Sequence, residues 1–138
     1  MQTFDVRSVE IHVSFESTFD YIADPETLPE WTHAFVSVRG RRAVMRTHEG
    51  TTEVALDVIA SRDSGVIDWK MTFADGQIAN AWSRLVPHGE DSVIYTFVLP
   101  APPVPLERLE GTLAEQSKTL ATELAMLTRV LESRDTHA

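Results

Sequence analysis

Between residues 34 and 99 the chain repeats one pattern. Short runs of alternating apolar and polar residues are interrupted at Gly40-Arg-Arg42, His48-Glu-Gly50, Arg62-Asp-Ser-Gly65, Asp75-Gly76 and Pro87-His-Gly-Glu-Asp91. None of these interruptions is long enough for a crossover helix, so about six strands must follow one another as antiparallel hairpins. That meander excludes a parallel α/β architecture. Asp75-Gly76 reads as a two-residue type I′ hairpin turn, which requires positive φ at both central positions. The alternation also assigns faces. Ile67, Trp69, Met71 and Phe73 point one way and Asp68, Lys70 and Thr72 the other, and Val54, Leu56 and Val58, then Val93, Tyr95, Phe97 and Leu99, repeat the apolar set.

The flanks differ from this middle. Val9, Ile11, Val13 and Phe15 alternate with Glu10, His12 and Ser14 as a first strand. Ser17 is the expected cap of a short helix carrying Phe19, Ile22 and Ala23. Asp24 caps a second turn with Pro25 in its first position and Leu28 and Trp31 on one side. After the proline-rich joint Pro100-Ala-Pro-Pro-Val-Pro105 the period becomes helical. Leu106, Leu109, Leu113, Leu120, Leu124, Leu127 and Leu131 then recur at steps of three and four, predicting a helix over roughly 105–132, about 40 Å long. The stripe has one gap, where Gln116 and Ser117 stand in place of an apolar residue.

Composition bounds what such a chain can do. With 138 residues, 43% of them hydrophobic, it can bury a core as a single domain spanning 1–138. It has no cysteine, which excludes disulfides and thiolate chemistry. A formal charge of -9 opposes binding to nucleic acid or to anionic membranes. No apolar run approaches the ~20 residues of a membrane span, and Met1-Gln-Thr-Phe4 does not open a signal peptide, so a cytoplasmic location and no membrane insertion are expected.

One strand, two short helices, six antiparallel strands and a long helix give the order β-α-α-β-β-β-β-β-β-α. The segments Ile11-His-Val-Ser-Phe-Glu-Ser-Thr-Phe19, Tyr21-Ile-Ala-Asp-Pro-Glu-Thr-Leu-Pro-Glu-Trp31 and Glu123-Leu-Ala-Met-Leu127 resemble the START/pollen-allergen (SRPBCC) superfamily, in particular its polyketide cyclase/dehydrase-like branch. The resemblance implies an α+β helix-grip fold: a strongly curved seven-stranded antiparallel sheet around the C-terminal helix, with an apolar cavity between them. Members bind lipids, sterols, polyketides and plant hormones, and some catalyse cyclisation or dehydration, so the fold does not select the activity.

The expected ligand-binding set is Leu56, Val58, Trp69, Met71, Phe73, Tyr95, Leu113 and Gln116, a lining suited to a small hydrophobic or aromatic molecule. Gln116 carries the most information, because a buried side-chain amide left unpaired costs about 1–3 kcal/mol. Catalytic candidates are few. His33, just beyond Trp31, and Tyr95 could polarise or deprotonate a substrate, and a solvated His33 is the plainer alternative. His12, His48, His88 and His137 read as outer-face, turn and tail residues, and Glu107, Glu110, Glu115 and Glu123 as outer helix positions. No metal-ligand spacing or phosphate loop occurs, so neither a metal nor an organic cofactor is expected. In strand 78–86 burying an unpaired Arg84 would be costly. Ala79, Ala81, Ser83 and Leu85 should therefore face inward, leaving Trp82 on the convex face unless a bulge reverses the strand. Three readings follow: a binding protein for a small hydrophobic molecule, a polyketide cyclase/dehydratase-like enzyme, or an interaction module or homodimer that uses the convex face.

Overall fold

The computed structural model describes residues 3–47, 50–100 and 106–136, with side chains described outside 106–113 and 135–136. The elements follow the expected order: β1 (Phe4–Ile11), α1 (Phe15–Ala23), a 3₁₀ turn (Pro25–Thr27), α2 (Leu28–Trp31), β2 (Phe35–Arg39), β3 (Arg42–Thr47), β4 (Gly50–Ser61), β5 (Val66–Thr72), β6 (Ile78–Pro87), β7 (Val93–Pro100) and α3 (Leu106–Thr136). They form one seven-stranded sheet in the order β1-β7-β6-β5-β4-β3-β2, antiparallel throughout. The meander lies in sequence order, and β1 closes it beside β7.

Two local expectations are corrected. The first strand ends at Ile11, and Phe15 opens α1, because Ser14 rather than Ser17 is the cap: its side chain accepts the Ser17 N–H at 3.3 Å. Val13 and Phe15 therefore owe their period to a strand end and a helix start. The Asp75-Gly76 turn is not type I′, since only Gly76 has positive φ, at 88°. Gly76 N–H donates to the Phe73 carbonyl and Phe73 N–H to the Gln77 carbonyl, both at 2.9 Å, giving a three-residue loop. The extra residue lets glycine alone take the left-handed conformation. Asp75 Oδ1 meanwhile accepts the Gln77 N–H at 3.0 Å. The Asp24 cap is as expected, accepting from Glu26 N–H at 3.1 Å with Pro25 following.

Gly65 is fixed by contact as well as by turn geometry. Its φ is +77°, and a Cβ there would lie 2.0 Å from the Leu85 carbonyl oxygen. That proximity lets Leu85 N–H reach the Gly65 carbonyl at 2.7 Å.

The core lies between the inner sheet face and α3. Leu120, Leu124, Leu127 and Leu131 are buried there with Ile11, Val13, Ile22, Leu28, Trp31 and Val93. Leu106, Leu109 and Leu113, the 101–105 joint, His48, Glu49 and His137 lie outside the described residues or side chains, as do the Glu107 and Glu110 carboxylates. Glu123 departs from its expected place on the outer helix face. Its Oε2 accepts the His33 backbone N–H at 2.6 Å, tying α3 to the start of β2. Burial is the main cause that raises its carboxyl pKa above the usual range, and the hydrogen bond from His33 N–H opposes it. Among the described residues no helix is long and apolar enough to cross a membrane.

Candidate functional site in the sheet interior

Cross-strand rows organise the inner face. Arg7 opposes Phe97, which opposes Ser83; Val9 opposes Tyr95, which opposes Leu85. One row further along, Ala81 opposes Trp69, which opposes Val58, and Ala79 opposes Met71, which opposes Leu56. Strand β6 therefore sets its small inward residues, Ala79, Ala81 and Ser83, between Trp69 and Met71 on one side and Phe97 and Leu99 on the other. Along β6 these small side chains are thus flanked by large apolar ones. The alternation of burial in β6, with Ala81, Ser83 and Leu85 buried and Asn80, Trp82 and Arg84 exposed, settles the orientation of that strand.

The walls are aromatic. The Trp69 and Phe97 rings stack at 5.8 Å between centroids, and Tyr95 meets Phe97 edge-on at 6.4 Å. Tyr95 is 0% and Trp69 2% exposed; among the described residues Trp69 Nε1 has no hydrogen-bond partner, and the Tyr95 hydroxyl has that of Ser83 beside it. The Ser83 hydroxyl near Tyr95 already donates to the Ile67 carbonyl at 2.5 Å, while Ser83 N–H donates to Asp68 Oδ1 at 3.2 Å. These two bonds span an interruption of the β5–β6 ladder between Val66↔Arg84 and Trp69↔Ala81. Burial pushes the Tyr95 phenol pKa far up, with Ser83 opposing the shift and the Asp68 carboxylate reinforcing it. Tyr95 is thus a neutral hydrogen-bonding group at any ordinary pH.

From α3, Gln116 presents a buried Oε1 that also lacks a hydrogen-bond partner among the described residues. Its neighbour Ser117 accepts from Arg7 Nη2 at 2.6 Å and Nε at 3.2 Å. Arg7 Nε also stands 3.5 Å from Asp5 Oδ2. Asp5 and Arg7 thus form an ion pair on β1, linked to α3 through Ser117. The sequence reading missed both. Their signal was present, since Asp5 and Arg7 continue the odd-numbered inward row of Val9 and Ile11.

The remaining candidates are spread out. Leu56 and Val58 line a lateral recess of about 400 Å³ together with Pro25, Gly40, Arg41 and Asp57. One side of it is closed by the ion pair of Arg41 with Asp57. None of the unpartnered polar atoms lines this recess. Phe73 sits just beyond β5, half-buried against the core, and the Leu113 side chain lies outside those described. His33 is exposed and is used through its backbone, with its carbonyl accepting from Arg46 Nη1 at 2.6 Å. Among the described residues its imidazole has no ion-pair partner, and no group of three or more His, Asp or Glu is placed to hold a metal ion.

Solved structures match this arrangement along nearly the whole chain. A START superfamily protein from Mycobacterium smegmatis superposes with a TM-score of 0.65 at 19% identity, covering 94% of this chain and 99% of its own. The chain has the START-like helix-grip fold. The XoxI protein of Bacillus cereus gives a TM-score of 0.69 at 14% identity, over 97% of this chain and 99% of that one. The di-domain ARO/CYC protein BexL from the BE-7585A biosynthetic pathway gives 0.66 at 12%, with 95% of this chain matching 47% of BexL. No protein-family model and no curated protein matches the sequence. At these identities the likeness concerns the fold, and the helix-grip order extends to polyketide cyclase-like structures.

Proposed function

We propose that this chain binds a small hydrophobic or aromatic molecule between the inner sheet face and α3. One observation carries the reading: the small inward residues of β6 lie between aromatic and Met side chains of its two neighbouring strands, an apolar lining of the kind that accepts a small guest. Half-buried Val9, Val58, Phe73, Ala79 and Leu99 adjoin that lining. Titration with the neutral fluorophore N-phenyl-1-naphthylamine tests it. Saturable binding at one site per chain, with blue-shifted emission, is the expected result; the absence of saturable binding would overturn the proposal.

A cyclase or dehydratase reading draws on the same place. Trp69, Tyr95 and Gln116 add polar atoms to an apolar lining, and such groups can hold a folded chain and polarise a carbonyl. Tyr95 would serve as a donor, since its raised pKa opposes a role as base. An interface on the outer face draws on Trp82, 43% exposed, whose row continues through Val98 to Val6. Sedimentation of the wild type against Trp82→Asp measures it, with a dimer lost in the variant as the expected outcome of that reading.

A further inference from the structure

The lateral recess beside β4 is a gap in the sheet. Strand β4 continues to Ser61, but its last pair with β3 is Ala55 with Arg42, because the chain turns away at Gly40-Arg41 into β2. Leu56 N–H still reaches the Arg41 carbonyl at 2.8 Å. Backbone groups alternate in direction along a strand. Val58 therefore turns its N–H and C=O to the same side as Leu56, beyond the start of β3, while Ile59 turns its own toward β5. Ile59 is 53% exposed, and Ala60 and Ser61 are exposed as well. This edge borders the recess of about 400 Å³, with Pro25 on its wall and Gly40 and Arg41 at the end where β3 begins.

Charge marks that end. The chain has a net charge of -9, yet four of its twelve basic residues, Arg39, Arg41, Arg42 and Arg46, fall within residues 39–46. Arg41 pairs with Asp57 and Arg42 with Glu53. Arg39, exposed and opposite Arg42, has no ion pair among the described residues. A local excess of positive charge thus stands where the unpaired edge begins. A strand added to this edge meets the Gly40-Arg41 turn and can go no further, so the occupant ends there. Running antiparallel to β4 it ends in a carboxylate, whereas running parallel it would set an ammonium against the arginines.

We infer that the edge of β4 from Val58 to Ser61 takes the C-terminal tail of a partner protein, bound as an extended antiparallel strand with its terminal carboxylate at Arg39 and Arg41. This surface is separate from the β6 lining, and neither reading depends on the other.

The probe is a pool of N-acetylated pentapeptides with Thr, Val or Ile at every position, made both as free C-terminal carboxylates and as C-terminal amides. The pool is passed over the immobilised full chain and the retained peptides are read by mass spectrometry. Free acids should be retained roughly tenfold or more over amides of the same sequence, as charge-assisted hydrogen bonds to a carboxylate imply. Arg39→Gln/Arg41→Gln, at two exposed positions, should reduce retention of the acids to that of the amides, with a thermal melt showing that the double variant is folded. With a retained peptide bound, amide exchange followed by NMR should slow at Val58 N–H and stay as it was at Ile59 N–H, which faces β5. Equal retention of acids and amides, retention of acids that survives in the double variant, or unchanged exchange at Val58 would each overturn the inference, as would the absence of any retention. Acetate competing as well as the peptides would overturn it too, since that marks a site for any small anion.

Discussion

The two ends of the inner face are built on opposite principles. At the end where β1 finishes, Ile11, Val13, Ile22, Val93, Leu124, Leu127 and Leu131 are at most 3% exposed, and backbone and side chains there are tied together. Glu123 holds the His33 N–H, Glu132 Oε2 accepts the His12 N–H at 3.0 Å, and Tyr21 donates to Glu30 at 2.7 Å. At the other end small Ala79 and Ala81 lie beside buried Trp69 and Met71, and among the described residues Trp69, Gln116 and Asp5 keep polar atoms without a hydrogen-bond partner. Thr18 and Trp31 also carry unpartnered atoms, on α1 and α2, whereas the inner-face set comes from β1, β5 and α3. On the binding reading, the first end grips the helix and the second receives the guest. Stability and binding should therefore separate along the length of α3.

The strongest way to break that comparison is Leu127→Ala in the closed end. It should cost about 3 kcal/mol of unfolding free energy by chemical denaturation, because a fully buried leucine leaves a cavity that close packing cannot heal; a loss under about 1 kcal/mol would mean that this end is not the grip. Glu123→Ala comes next, at about 1 kcal/mol, since it removes the carboxylate that accepts the His33 N–H and ties α3 to β2. Its pH dependence has a definite sign. Because the folded-state pKa of Glu123 is raised, the native chain holds a proton that the unfolded chain has lost once pH exceeds the ordinary carboxylate value, so stability falls as pH rises through that window. Glu123→Gln, which keeps an acceptor and cannot ionise, should flatten that slope in denaturation series run from pH 4 upward.

Ala81→Leu addresses the second end. Added bulk at buried Ala81 should cost about 1 kcal/mol of stability, while affinity for N-phenyl-1-naphthylamine should fall at least tenfold on the binding reading. A large destabilisation with unchanged affinity would reverse the assignment of the two ends. The smallest effect belongs to Arg7→Met. With its guanidinium 42% exposed, loss of the links to Asp5 and Ser117 should cost under about 1 kcal/mol, read from the denaturation midpoint.

Much of this was legible in the chain. The turn spacing required an antiparallel meander, the Leu stripe required α3, and period-2 alternation placed Trp69, Met71, Tyr95 and Phe97 on the inner face. The cost of burying Arg84 oriented β6. Gln116 stood out because a polar residue broke an apolar stripe, and its Oε1 is indeed buried without a partner. The polar partnerships were not legible. Arg7 meets Ser117 across 110 residues and Glu123 meets His33 across 90, and no periodicity encodes which distant side chains will face each other.

The sequence by itself determined the order of elements, the direction of the strands and the inward set, because turns, caps and periodicity act within a few residues along the chain. Tertiary structure alone decided three things: that Gly65 must lie against the Leu85 carbonyl, that Glu123 works as a backbone anchor, and that Trp69 and Tyr95 both pack on Phe97. Each depends on which surfaces meet when the sheet closes on α3. That meeting is set by packing many side chains at once, and each partner in it comes from a different element.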